Sequence, residues 1–285
     1  MLDTLTVADL THGGGVTLAK VKHELVLNTT SDALVVQTAH NLARGLPELV
    51  ARPDRGWCDN TVSLCGSAPS LMQNLHRLRG DVMACNAAIP AMHKAGVALH
   101  YAMIWDATPE MVRYCIDIPG CEWMIASRCH PSVIDKLLAL GQRVTLWHTG
   151  TTEDAMKVVY GPGRLWVLGG PTIATRGPFL LGAMGYRNLH LFGADSSFAD
   201  ETHVGGSLRK EEEVACSYEG RIYRTTYWMM NQAETWVKFV LPQLAGEPEP
   251  MMFTVHGEGL LPAAHRSWLR QELPWHKRLA WWILA

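Results

Sequence analysis

The chain has 285 residues, 48% of them hydrophobic and 18% charged, which is enough apolar material for a sizeable core and too much for disorder over most of its length. A formal net charge of −2 gives no global pull toward nucleic acid or an anionic membrane, so no general nucleic-acid binding is expected. The seven cysteines (Cys58, Cys65, Cys85, Cys115, Cys121, Cys129, Cys216) include no C-x-x-C pair, residues 1–20 lack an export-type start, and no apolar run reaches the length of a membrane span, so the expectation is a soluble cytoplasmic protein with buried free thiols.

Along the chain, Ser31 to Arg44 reads as a helix capped by Ser31 or Asp32, with Ala33, Val36, Ala39 and Leu42 spaced for one apolar face. Pro53-Asp54-Arg55-Gly56 reads as a linker. From 61 onward short apolar runs alternate with helical patterns. Strands are expected at Thr61–Cys65, Asp81–Cys85, Leu99–Ile104, Trp123–Ala126, Arg143–Trp147, Leu165–Leu168 and Asn188–Phe192, with helices near Ser70–Leu78, Ile89–Ala95, Pro131–Leu140 and Thr172–Met184. That alternation implies an α/β fold, a Rossmann-like, mainly parallel sheet with helices on both faces and with N-terminal and C-terminal helical appendages. Arg209 to Glu213 reads as a charged loop or helix start, Arg221–Leu241 as one long helix, and Met251–Val255 as a last strand ending in the turn His256-Gly257-Glu258-Gly259-Leu260-Leu261-Pro262. The expected division is an N-terminal extension over 1–58, a core over 59–262 and a Trp-rich tail over 263–285, whose Trp281, Trp282 and Leu284 suit docking on the body or a second subunit, so a homo-oligomer is one expectation.

Open α/β sheets bind ligands beyond the carboxyl ends of their strands. Ser67, Ser70, Asn86, Asp106, His148, Gly170, Thr172 and Asp195 all fall at or just after expected strand ends. Gly66-Ser67-Ala68-Pro69-Ser70 is a small-residue turn whose N–H groups, at the start of a helix, suit a nucleotide phosphate, and it is equally readable as an ordinary βα turn. Asn86 can present a donor and an acceptor to a base or sugar, or form a turn. Asp106 suits a ribose hydroxyl or a metal, or caps the Pro109 helix. Gly169-Gly170-Pro171-Thr172 offers a second helix-start anion site with the Thr172 N–H and hydroxyl outward, or simply a capped helix; Arg176 adds charge, although Gly177-Pro178 is expected to interrupt the helix. Asp195 and His203 are the candidates for acid–base work, imidazole titrating near pH ~6.5; His148 and His256 come second. There is no P-loop, no G-x-G-x-x-G after the first strand, no G-x-S-x-G elbow and no zinc-type spacing, so no metal site is expected.

Five segments in order carry a resemblance: Gly66-Ser67-Ala68-Pro69-Ser70-Leu71; Ala84-Cys85-Asn86; Trp105-Asp106-Ala107-Thr108-Pro109; Gly169 to Thr175 running to Gly185-Tyr186; and Phe192-Gly193-Ala194-Asp195-Ser196-Ser197-Phe198 followed by Thr202-His203-Val204-Gly205-Gly206. Together they resemble the MptE-like and motility-accessory-factor superfamily and the related bacterial sialyltransferases that use CMP-sugars. The resemblance implies a nucleotide-contacting role for Asn86 and a base role for His203. It implies a transferase, foremost a glycosyltransferase moving a sugar from a CMP- or UDP-linked donor to a hydroxyl acceptor, with the nucleotide or nucleotide-sugar as substrate. The alternatives are an MptE-like pyrophosphokinase acting on 6-hydroxymethyl-dihydropterin or a similar alcohol, which would need Mg²⁺, and a catalytically idle nucleotide-binding or assembly module. Against the pyrophosphokinase, the stretches Asp106-Ala107-Thr108-Pro109 and His148 to Glu153 are poor in carboxylates.

Overall fold

The computed structural model describes residues 8–9, 29–51, 60–150, 153–161, 164–198, 213–246 and 250–271. His203, the Gly205-Gly206 pair, the linker at 53–56, Cys58 and the tail from 272 onward lie outside them. In chain order come β1 (Ala8–Asp9), α1 (Ser31–Leu42), β2 (Thr61–Cys65), α2 (Ser70–Gln73), β3 (Asp81–Cys85), α3 (Ala88–Lys94), β4 (Tyr101–Ile104), β5 (Glu122–Ala126), α4 (Pro131–Ala139), β6 (Arg143–Trp147), α5 (Glu153–Val159), α6 (Ile173–Ala183), β7 (Asn188–Phe192), β8 (Val214–Tyr218), β9 (Arg221–Thr225), α7 (Tyr227–Thr235), α8 (Leu241–Leu244), β10 (Met252–Val255) and α9 (Leu260–Gln271).

Seven strands form one sheet in the order β10-β7-β2-β3-β4-β5-β6, every neighbouring pair parallel. The expected Rossmann-like α/β class is the observed one. Four consecutive residues of β2, β3, β5 and β7 are buried, as is all of β4, because a parallel sheet covered on both faces selects near-continuous apolar runs. From β2 the chain steps outward through β3, β4, β5 and β6, then returns to lay β7 on the other side of β2. The direction of winding therefore reverses between β2 and β7, and their carboxyl ends flank the crevice where such sheets take ligands.

The chain departs from its sequence pattern in several places, among them Leu260 to Pro262, expected as part of a turn but forming the start of α9, where Leu260, Leu261 and Pro262 are buried. Helix α1 buries Leu34, Gln37, Thr38 and Asn41, and of the expected apolar face Val36 (67% exposed) and Ala39 point out while Ala33 and Leu42 are half-buried. The cause is its seat on loops at the sheet's carboxyl edge: Asn41 Nδ2 donates to the carbonyls of Ser127 and Cys129 at 3.0 and 2.8 Å, which only a polar face supplies. Leu165–Leu168 is irregular chain, tied to β6 by a single bridge at Trp166 and by Val167 N–H donating to His148 O. The helix expected over 221–241 starts only at Tyr227, since Glu219 (φ 48°) and Gly220 (φ 76°) make a two-residue turn that pairs β9 back on β8. Helix α6 continues through Gly177-Pro178, and Gly177 sits so close to β2 that a Cβ there would lie 2.7 Å from Leu64 Cδ2. Six cysteines, all but Cys58, are free and buried, and no described helix is long and apolar enough to cross a membrane.

Candidate functional site

The crevice between β2 and β7 is built from backbone packed on backbone. Gly66 N–H donates to Phe192 O at 2.9 Å and Ala68 N–H to Gly193 O at 3.0 Å. A Cβ on Gly66 would fall 2.5 Å from Gly193 O, and one on Gly193, whose φ is +60°, 2.3 Å from Gly66 O, so both positions admit only glycine without movement. The loop after β10 closes on the same point: Gly257 would bring a Cβ within 2.5 Å of Asp195 Oδ1, and Leu261 N–H donates to Asp195 O at 3.1 Å. Asp195, 6% exposed, accepts from Ser70 Oγ at 2.7 Å across a sequence separation of 125. Gly66, Ser70 and Asp195 are thus brought together.

Two of the turn's N–H groups are occupied by β7-loop carbonyls and Pro69 has none, so Ser67 and Ser70 carry the N–H groups left without a partner among the described residues. The helix that follows is one turn long before it tightens into a 3-10 turn at Leu75–Arg77, so the expected dipole contribution at this turn is small. Asn86 directly follows β3, the strand beside β2, in left-handed backbone (φ 49°), with Oδ1 buried and unpartnered. Asp106 follows β4 and accepts from Thr108 N–H at 3.2 Å, the Asx-turn arrangement. Gly170 is packed so tightly that a Cβ there would lie 2.6 Å from Thr175 Oγ1 and 2.7 Å from Thr235 Cγ2. Thr172 turns its N–H and hydroxyl inward to Thr175 in a reciprocal capping box, which corrects the expectation that they face outward.

Sequence reasoning gave no structural role to Arg128, Trp105 or the far end of Arg176. Both guanidinium groups lie over the Trp105 ring, at 5.2 Å for Arg128 and 4.8 Å for Arg176. Arg176 donates to the carbonyls of Val167, Gly169 and Gly170 and to Thr149 Oγ1, which pins the Gly170 loop to the end of β6. A cavity of about 840 Å³ opens there, with Gly150, Met156, Tyr160, Trp166, Leu168 and Arg176 on its walls. Of the eight buried side-chain polar atoms without a partner among the described residues, four (Asn86 Oδ1, Arg128 Nε, His148 Nδ1 and Ser196 Oγ) lie a few residues past the end of a strand; the others are Gln37 Oε1, Asn41 Oδ1 and Arg44 Nε in and just after α1 and one atom in α9. Buried polar groups are ordinarily satisfied, so the four at the strand ends are available to water or a ligand.

The second-rank histidines are structural in their contacts. His148, fully buried, lies 3.0 Å from Glu48 Oε2, and Arg164 grips the same carboxylate at 2.9 and 3.0 Å. Burial holds His148 below its ordinary pKa; burial opposes ionisation of Glu48, but hydrogen bonds from Arg164 and His148 outweigh it and hold that carboxyl low. His256 stacks on Phe192 at 4.1 Å and meets His190 Nδ1 at 3.1 Å, and burial pushes both imidazoles down to about 4. The described residues hold no group of three or more His, Cys, Asp or Glu side chains placed to hold a metal ion.

Residues 34–201 match the family model described as 6-hydroxymethylpterin diphosphokinase MptE-like. No curated protein sequence matches. Among solved structures, a MAf glycosyltransferase from Magnetospirillum magneticum AMB-1 superposes with a TM-score of 0.59 over 86% of this chain at 15% identity. The alignment spans 42% of that longer chain, and at this identity the likeness is one of fold.

Proposed function

Because the chain belongs to the 6-hydroxymethylpterin diphosphokinase MptE-like family, we propose that it is a nucleotide-dependent transferase that moves a sugar from a CMP- or UDP-linked donor to a hydroxyl acceptor. The observation that carries the reading is the convergence of the loops after β2, β7 and β10 at the switch point, fixed by the Ser70–Asp195 bond. In this reading the donor's phosphate lies against the Ser67 and Ser70 N–H groups, and Asn86, one strand away, contacts the nucleoside. The acceptor oxygen attacks the anomeric carbon, the bond from that carbon to the phosphate oxygen breaks, and the acceptor's proton passes to a base, for which His203 is the sequence's candidate. Asp195, already engaged by Ser70, acts as a positioning residue. Negative charge that develops on the departing phosphate is stabilised by hydrogen bonds from the Ser67 and Ser70 N–H groups.

The family's description favours a rival, pyrophosphoryl transfer from ATP to a pterin-like alcohol. Glycosyl transfer ranks first here because of the fold shared with a MAf glycosyltransferase and because the sequence stretches Asp106 to Pro109 and His148 to Glu153 are poor in carboxylates. Calorimetric titration with CMP, UDP, ATP and the corresponding nucleotide-sugars, followed by chromatographic detection of the released nucleotide, tests the choice. Binding and turnover of a CMP- or UDP-sugar support the proposal. Mg²⁺-dependent AMP release with a pterin alcohol would replace it with the rival, nucleotide binding without turnover would leave a binding module, and no nucleotide binding would end all three readings.

A further inference from the structure

We propose that Arg128, together with Arg176 and the Trp105 ring they share, forms an oxyanion-binding subsite at the carboxyl ends of β4 and β5, taking a carboxylate or phosphate substituent of the substrate other than its leaving group. Arg128 is 8% exposed, and among the described residues nothing hydrogen-bonds to its guanidinium; its Nε is enclosed and unsatisfied. Arg176, equally buried, spends its donors on Val167, Gly169, Gly170 and Thr149, so it contributes charge and shape while Arg128 contributes unpaired donors. Burial lowers the pKa of both groups, Arg176 to about 10 with the Arg128 charge adding to the effect, while the Asp106 carboxylate acts in the opposite direction on Arg128. Two buried cations against one nearby carboxylate leave positive charge that an incoming anion would neutralise, and a planar fork with free N–H groups is the donor set that grips carboxylate and phosphate bidentately.

The location has two further supports. Arg176 lines the cavity of about 840 Å³ at the end of β6, so the stack borders open space large enough for a small molecule. Helix α1 closes the other side, its Asn41 clamping the carbonyls on either side of Arg128 and so fixing the loop that carries it. From β2 to β5 is three strand steps, or about 14 Å at the usual strand spacing of ~4.8 Å, beyond the reach of a phosphate held at Ser67 and Ser70. The inference rests on the proposed transferase reading only for which molecule carries the anion; the subsite itself does not depend on it.

The test uses full-length protein labelled with 5-fluorotryptophan, with the Trp105 resonance assigned by its loss in Trp105→Phe. Inorganic phosphate and acetate are titrated separately at constant ionic strength held with chloride, and CMP and UDP binding is measured in parallel. The expected result is a saturable shift of the Trp105 resonance with phosphate, acetate or both, the tighter of the two naming the class of anion. In Arg128→Met the apparent affinity should weaken at least tenfold. Arg128→Gln, closer in polarity, is the second variant should the first not fold, and the same loss is expected from it. A Trp105 resonance that ignores both anions, follows chloride equally, or responds undiminished in both variants would overturn the subsite. Nucleotide binding with a silent Trp105 removes this inference alone, whereas a responding Trp105 without nucleotide binding leaves the subsite standing and removes the transferase reading.

Discussion

Removing the Ser70 hydroxyl should weaken the switch point by an amount the structure allows one to estimate. Its bond to Asp195 is short, at 2.7 Å, and its acceptor is a carboxylate that is 6% exposed, conditions under which a hydrogen bond to a charged group contributes about 1.5–3 kcal/mol. Part of any single-variant effect reflects the cavity or the desolvated partner left behind, so the informative quantity is the coupling in a double-mutant cycle of Ser70→Ala, Asp195→Ala and the pair. Urea unfolding followed by circular dichroism, with unchanged m-values as the check on two-state behaviour, measures it. A coupling of about 1.5–3 kcal/mol is expected. Single effects that add to within about 0.5 kcal/mol would show that the two residues, though adjacent, do not hold the β2 and β7 loops together, and the argument for a pre-formed crevice would fail.

Three other outcomes follow from the same structure. Gly193→Ala, with positive φ and Gly66 O 2.3 Å from the new Cβ, should destabilise by the left-handed strain of about 1–2 kcal/mol plus an overpacking term of about 1–3 kcal/mol; Gly220→Ala, with positive φ and open space, should lose only the first, and equal melting temperatures for the two variants would contradict the contact. His190 and His256 remain neutral in the folded state down to about pH 4 because of burial, whereas the unfolded chain protonates them near 6.5, so stability should fall as pH drops between those values; a His190→Gln variant should flatten that slope in pH-dependent thermal unfolding, and an unchanged slope would refute the assignment. Glu48 has a lowered folded pKa, so its contribution is present at neutral pH and lost as pH falls below the ordinary glutamate value of about 4.5; Glu48→Gln should destabilise at pH 7 and converge on the parent protein in acid, and a constant difference across that range would count against the Arg164 and His148 contacts.

The strands and most helices were legible because their signals are local: short apolar-rich runs for β2, β3 and β7, a proline at the first turn of α4, and Thr172 with Thr175 at the start of α6. Where the reading failed, a tertiary partner overrode the local pattern. The apolar spacing of α1 lost to Asn41 bonding to loop carbonyls 86 and 88 residues away, and the apolar run 165–168 found only one bridge because β6 already pairs with the Pro47–Leu49 segment through Leu146. The β8–β9 hairpin was announced by Glu219-Gly220 and by the alternating burial of Val214, Cys216 and Tyr218, a period-2 signal obscured by the aromatic residues that follow. At the site, the loops were visible as small-residue breaks after strands, including His256-Gly257-Glu258-Gly259. That Ser70 meets Asp195, and that Arg128 and Arg176 share Trp105, follows from strand order, which no local pattern encodes.

The central claim, a nucleotide-linked donor held at the β2–β7 crevice, is tested most directly by a crystal structure of the protein with CMP or UDP bound. The account predicts a phosphate oxygen within about 3 Å of the Ser67 or Ser70 amide nitrogen, with the nucleoside directed toward Asn86. A nucleotide seated instead in the cavity beside Tyr160 and Leu168, with the Gly66–Ser70 turn empty, would contradict it.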